Sequence, residues 1–419
     1  MADTLYSNQI GGGVFQFLYA TWFIWLPVAL FFIFREIWLN FARLRFMSGL
    51  TWVLLEVKVP REVAKSPKAM ESIFAGIHGS GKSWDLIETY WKGIVNPWFS
   101  FEIVGDETGV HFYIWTQEFF RRMIEAQIYA QYPASEISIR EDYTKNLPTV
   151  LPDKDWNLWG TEFILTKPDA YPIRTYEDFT LEKISLKEEE SKIDPLSALV
   201  EFLGTLSAGE KIWMQFVIRP ADDSWKVEGE KLVGKLVGRE AKSHTPFLFK
   251  MVHSVNDFIG AGSGSEIKAK ESKLPSLTPG EKMVLEAIEE NISKIGFETG
   301  IRWIYLAKRD KFNFLAIPAI IGIFKQFASP AMNGFKPNKS ATTSAGYLLR
   351  EKIELQKKSR IFNAYRLRSF FYPPYESKHF VLNSSELATI YHFPGTVVGA
   401  PGMARIEAKK GAPPSNLPI

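Results

Sequence analysis

Eight consecutive residues, Gly76-Ile77-His78-Gly79-Ser80-Gly81-Lys82-Ser83, match the G-x-x-x-x-G-K-[ST] spacing of a phosphate-binding loop. In such a loop the amides between Gly76 and Gly81 wrap a β-phosphate, Lys82 reaches the β and γ oxygens, and the Ser83 hydroxyl holds Mg²⁺. That chemistry needs a buried strand directly before the loop and a helix directly after it. Met70, Ile73, Phe74 and Ile77 instead fall at i, i+3, i+4 and i+7, which predicts an amphipathic helix running into the glycines. The nearest strand-end carboxylate, Asp106 after Phe101-Glu102-Ile103-Val104, lies in a short hairpin link from Gly105 to Gly109, too soon for a crossover helix and a parallel strand. The motif therefore reads as a Gly-rich helix exit, and a membrane-bound nucleotide hydrolase using Gly76, Gly81, Lys82 and Ser83 is the rival reading.

A second constellation is basic and aromatic. Arg350, Lys352, Lys357, Lys358, Arg360, Arg366 and Arg368 interleave with Phe362, Tyr365, Phe370, Phe371, Tyr372 and Tyr375. Cations beside ring faces can hold single-stranded nucleic acid. The alternatives are an amphipathic helix with core aromatics and solvated lysines, or contact with anionic lipid. Other chemistries have less to stand on. Cysteine is absent, which removes disulfides, thiolate metal sites and cysteine nucleophiles. The six histidines form no H-E-x-x-H and no i, i+4 pair, and no Gly-x-Ser-x-Gly elbow occurs. A formal charge of +3 on 419 residues gives no global electrostatic attraction to nucleic acid.

The elements that must position these residues begin with a membrane segment. Val14 to Phe34 carries no charge, and at 1.5 Å per residue it makes about 31 Å of helix, the thickness of a hydrocarbon core. A cleaved signal peptide is the competing reading. The run is long for one, lacks a basic region before it, and is followed by Arg35 rather than a small-residue cleavage site. Arg35, Arg43 and Arg45 follow the span and no basic residue precedes it, which predicts an outside N-terminus and a cytoplasmic body. The shorter apolar stretch Phe314 to Phe324 reads as a buried core helix.

Beyond the span, alternation over Val53–Val59 predicts a strand, and Ser66-Pro67 an N-cap opening the helix over Met70–Ile77. Strands over Trp98–Val104 and Val110–Trp115, a helix over Gln117–Gln131 and a strand over Glu136–Arg140 complete a ferredoxin-like βαββαβ order. A looser copy follows, with strands near Thr161–Thr166, Lys211–Arg219 and Ile301–Ala307 and a helix after Asp194-Pro195. Thr278-Pro279-Gly280-Glu281 is a capping box for a helix closed by Gly296, and Asn383 with Glu386 caps another. The expected fold class is α+β: an N-terminal transmembrane helix, then tandem ferredoxin-like units, the second with a helical insertion. The expected division is 1–13 extracytoplasmic, 14–34 transmembrane, 35–50 juxtamembrane, 51–145 the first domain, 146–340 the second with its insertion at 220–278, 341–408 a basic helical segment, and 409–419 a Pro-rich tail.

Four segments carry a family resemblance: Trp98–Val104, Ile128–Pro133, Glu386–Gly395 and Pro413–Pro418. In order along the chain they resemble the membrane-proximal, non-catalytic region of bacterial conjugation and type IV secretion ATPases, including HerA/TraG-like forms. In those relatives a segment like Pro413–Pro418 leads into the P-loop motor domain, whose Walker residues have no counterpart here. The resemblance implies an anchored docking region without its motor, in the bacterial inner membrane, requiring no cofactor. The expected partners are the lipid bilayer and a motor ATPase subunit, with single-stranded DNA and a second copy of the chain as further candidates.

Overall fold

The computed structural model describes residues 19–60, 65–82, 84–179, 194–237, 278–346 and 349–395. Helix α1, Trp22–Ser48, is 27 residues long, or about 40 Å. It is the one described helix long and apolar enough to cross a membrane. Its first part stands clear of the rest of the chain, whereas Leu39 and Ala42 are buried against it. The stretch 35–50, expected as a separate juxtamembrane segment, is therefore the continuation of this helix to Ser48. No helix-breaking residue lies between Arg35 and Ser48 to end it.

The body is mixed α and β around one antiparallel sheet. In chain order the remaining elements are β1 Trp52–Lys58, α2 Lys68–His78, α3 Leu86–Tyr90, β2 Phe99–Asp106, β3 Gly109–Gln117, α4 Arg121–Gln131, β4 Glu136–Arg140 and β5 Trp156–Leu165. They continue with α5 Ser197–Gly204, β6 Glu210–Pro220, α6 Ser224–Leu236, α7 Pro279–Ser293, β7 Gly296–Lys308, α8 Ala316–Phe324, β8 Phe335–Pro337, α9 Arg350–Arg366, β9 Phe380–Asn383 and α10 Ser384–Ile390. The strand order is β4-β1-β3-β2-β6-β7-β5-β8, with β9 extending the sheet beside the start of β7. Strands β1–β4 and β5–β8 meet only through β2 and β6, which pair from Phe99↔Ile218 to Gly105↔Ile212.

Alternation along the central strands gives each face its character. Phe101, Ile103, Ile114, Met214, Phe216, Ile301 and Trp303 look toward one face, where α2, α4, α5, α8 and α10 bury a continuous apolar core. On the other face Tyr113, Trp213, Ile304 and Leu306 meet Ile361, Phe362 and Tyr365 of α9. The C-terminal part of the described chain thus covers both sides of the sheet. Tyr391 packs its ring on Phe101, Phe112 and Phe216, across the seam between β2 and β6. Of the segment at 341–408, expected as a separate basic region, residues 341–360 are mostly exposed or half-buried, whereas the described part from Ile361 onward is largely core.

Two cap assignments differ from expectation. Pro67 rather than Ser66 takes the N-cap position of α2, while the Ser66 hydroxyl accepts from the Lys68 amide at 3.3 Å. Gly296 begins β7 rather than closing α7, whose C-cap is Lys294. A side chain at Gly296 would collide with the Trp225 indole, 2.6 Å from a Cβ, so this glycine serves a close approach. The expected capping boxes at Thr278/Glu281 and Asn383/Glu386 are both formed.

Candidate functional site

The phosphate-loop spacing folds as helix and turn. Gly76 lies inside α2, Gly79 is its C-cap, and the Gly81 amide donates to the His78 carbonyl at 3.1 Å. Gly76 faces α4, where a Cβ would come within 2.5 Å of the Gln127 amide group. Gly81 lies against Pro220, whose own Cβ would be 2.8 Å from a Cβ placed on the glycine. The Lys82 ammonium sits 4.6 Å from the centre of the Trp84 ring. Ser83 lies outside the described residues.

Most cations of the basic segment have a partner within the protein, and Lys352 is exposed. Arg350 donates to Glu354 at 2.8 Å along the exposed side of α9. Lys357 reaches the carbonyls of Thr342 and Ser344 at 3.0 and 3.2 Å. Lys358 donates to Asn157 at 2.9 Å, and burial pushes its pKa down. Arg360 lies over the Tyr375 ring at 4.9 Å, and Arg366 donates to the Thr149 carbonyl at 3.0 Å. The aromatics between them, Phe362, Tyr365, Phe370, Phe371, Tyr372 and Tyr375, are all buried. They are core residues rather than an open stacking platform.

Arg368 joins a different assembly, a polar row buried across the middle of the sheet. Register places Glu102 beside Gln215, Gln215 beside Arg302, and Arg302 beside Glu162, on the face covered by α9. Glu102 accepts from Ser100 at 2.7 Å, Tyr143 at 2.6 Å, Gln215 at 3.1 Å and Arg368 at 3.0 and 3.2 Å. Arg302 donates to Glu162 at 2.8 Å, to the Gln215 oxygen at 3.1 Å and to the Ser369 carbonyl at 3.1 Å. Arg368 also pairs with Asp142. Burial would raise the Asp142 pKa, but the Arg368 guanidinium outweighs it and holds the carboxyl below its usual range. Arg368 adopts φ 48°, a left-handed conformation uncommon outside glycine, at the turn where the chain leaves α9.

This arrangement binds chain to chain. Burial, reinforced by the Glu102 charge, pushes the Tyr143 and Tyr365 hydroxyls well above the phenol range, so they remain protonated donors at neutral pH. Three carboxylates meet two guanidiniums with donors filling the remaining sites, the condition under which buried charge is tolerated. Two grooves flank the row. One of about 370 Å³ is lined by Leu44 and Met47 of α1, by Trp52, Trp98 and Trp115, and by the turn from Leu367 to Pro374. The other, about 590 Å³, is lined by Asp142, Lys145, Arg360, Asn363, Arg366 and Tyr375. Among the described residues no group of three or more His, Asp or Glu is placed to hold a metal ion.

Sequence reasoning singled out Arg368 but missed Glu102, Glu162, Gln215 and Arg302. The available signal was a charged or amide residue at the centre of an otherwise apolar strand, as in Phe101-Glu102-Ile103 and Ile301-Arg302-Trp303.

A family model described as a domain of unknown function, DUF8128, matches residues 43–403. The chain belongs to the DUF8128 family. The DUF8128 match begins at Arg43, inside α1, so the last turns of that helix fall within the matched span while its apolar part, together with the buried Leu39 and Ala42, precedes it. The matched span takes in the whole sheet together with α9 and α10, the elements that close both faces of the DUF8128 core. No curated protein matches the sequence.

Proposed function

We propose that this protein is a single-span, membrane-anchored docking subunit for a translocation ATPase of the conjugation and type IV secretion kind, without catalytic activity of its own. The observation that carries the anchoring is the continuity of α1. Its apolar, exposed part runs without a break into a part that packs on the body through Leu39 and Ala42, so one continuous helix connects the apolar run to the folded body. The arginines that follow the apolar run favour an outside N-terminus and a cytoplasmic body at a bacterial inner membrane.

The docking half of the reading rests on the four resembling segments and on the kind of site present. A buried row with its donors and acceptors mutually satisfied suits a rigid platform better than a reaction centre. The fold reading goes with it. Each half, β1–β4 and β5–β8, runs in the order fourth-first-third-second, the order of a ferredoxin-like unit, and we read the body as two such units joined through β2 and β6. Helix α6 would then be the described helix of the insertion at 220–278 in the second unit.

Mild crosslinking in native membranes, detergent extraction and affinity capture of the full chain test the partner. Recovery of a P-loop motor ATPase is the expected result; its absence under crosslinking that captures other membrane neighbours would overturn the docking reading. Alkaline extraction tests the anchor, since a spanning protein stays with the bilayer.

A further inference from the structure

The body carries an apolar patch whose position beside α1 gives it a purpose. Helix α3 is about one and a half turns long and opens with a capping box in which Asp85 accepts from the Glu88 amide at 2.6 Å. It buries none of its own residues. Leu86, Ile87 and Trp91 are instead 76%, 65% and 73% exposed. Three large apolar side chains on six residues are costly to leave in water, and a contiguous patch of this kind marks an interaction surface.

The patch is fixed to the membrane helix at a defined height. The Trp38 indole donates to the Tyr90 carbonyl at 2.8 Å, and the Trp38 and Trp91 rings lie 5.4 Å apart. Gly93 makes this approach possible. It is buried at φ +68°, and a Cβ there would lie 2.2 Å from the Ala42 carbonyl carbon. On α1 itself Phe34, Ile37 and Phe41 are exposed on either side of Trp38. Leu86 and Ile87 thus add exposed apolar surface to a segment held against α1 at Trp38. Lys82 and Lys92 are exposed at the two ends of the segment, where ammonium groups can meet anionic headgroups.

We propose that residues 84–92 form a second, non-spanning contact with the bilayer, inserting Leu86, Ile87 and Trp91 into the headgroup–acyl boundary of the leaflet from which α1 emerges. The segment works as a foot that fixes the tilt of the body against the membrane, which one helix alone leaves free to swing. Tryptophan and tyrosine at this depth have their apolar bodies in lipid and their polar edges at the water boundary. The inference rests on the reading of α1 as a span.

Because the chain contains no cysteine, single nitroxide labels can be placed without background. The full chain is reconstituted in vesicles of phosphatidylcholine and phosphatidylglycerol. Labels are placed at Leu86→Cys, Ile87→Cys, Phe34→Cys on α1, and Glu289→Cys on the exposed side of α7 as an aqueous reference. Collision with oxygen and with a water-soluble nickel chelate is read by power saturation. The expected result is an oxygen-to-nickel ratio at positions 86 and 87 several-fold above that at 289, and deepest at 34. A lipid-like value at 34 with aqueous values at 86 and 87 overturns the foot and leaves the span standing. An aqueous value at 34 overturns both. Shielding of 86 and 87 from both relaxants would mean protein contact, such as a second copy of the chain, and would overturn the assignment to lipid.

Discussion

Removing the Arg368 side chain tests the description of the buried row most directly. Arg368 is 1% exposed and contacts Glu102, which is fully buried, from two of its nitrogens, with Asp142 on the same guanidinium. In Arg368→Ala these carboxylates lose their main cation, Glu102 in a fully buried position and Asp142 at the edge of a groove. Breaking a buried pair by deleting one partner costs about 3–5 kcal/mol, most of it the penalty of the charge left behind. Replacing both charges by shapes of similar volume removes that penalty, so Arg368→Met combined with Glu102→Gln should cost about 1–2 kcal/mol, less than Arg368→Ala alone. Some cost remains because Tyr143, Ser100 and Gln215 lose a charged acceptor. Urea titration of the full chain in micelles, followed by tryptophan fluorescence, reads both variants, since the Arg368 guanidinium lies 5.6 Å from the Trp115 ring centre. The reasoning is refuted if Arg368→Ala costs under about 1 kcal/mol, or if the double variant loses as much as the two single changes added together.

Further outcomes follow from other residues. Gly76→Ala should be neutral or stabilising by up to about 1 kcal/mol in a thermal melt, because the helix gains propensity and Gln127 can swing its amide aside. Neither it nor Lys82→Ala should alter equilibrium binding of labelled ATP with Mg²⁺; saturable binding lost in Lys82→Ala would restore the nucleotide reading. Gly93→Ala should cost about 2–5 kcal/mol by calorimetry, combining left-handed strain with a clash against the Ala42 backbone. The Glu386 carboxyl is pushed up to about 8 by burial, so in the folded state it holds its proton where an unfolded glutamate has lost it. Its contribution is therefore fully present below about pH 4.5 and lost as pH rises through 8, and Glu386→Gln should flatten that slope in pH-dependent melts. Glu56 has the opposite sign. Burial would raise it, but hydrogen bonds from His111 and Arg140 hold it at about 2. Glu56→Gln should thus cost about 1–2 kcal/mol above pH 4.5 and nothing near pH 2, the half-exposed Arg140 moderating the effect.

Local order was the part of this fold most open to reading. The stripe Met70, Ile73, Phe74, Ile77 and the alternation in β2, β3 and β6 mark their elements because each pattern repeats within one segment. Capping boxes at Thr278 and Asn383 were legible because the partner sits three residues away. Pairing over long separations was not. Nothing in Phe99–Asp106 announces that it will join Glu210–Pro220, and β8 and β9 are too short to have a period. Helix α10 misleads by composition: Ser384, Ser385, Glu386 and Thr389 look like a solvated face, yet all are buried, satisfied by Glu71, Asn383, Ile173 and Tyr176. The polar row was hidden for the same reason, since a lone glutamate in a strand shows neither its face nor its partner.

The placement of α9 and α10 bears on how the chain comes to be made. A chain grows from its N-terminus, so all of β1 to β8 leave the ribosome before α9 and α10 do. Until Ile361, Phe362 and Tyr365 arrive, the face of the sheet opposite α2 and α5 lacks its covering helix, and until Tyr391 arrives the other face lacks the ring that spans the seam between β2 and β6. A premature stop before Arg350 would leave Tyr113, Trp213, Ile304 and Leu306 without the side chains of α9 that bury them. A frameshift late in the gene should therefore be as damaging as one at its start, because the last described helices complete the core rather than decorate it.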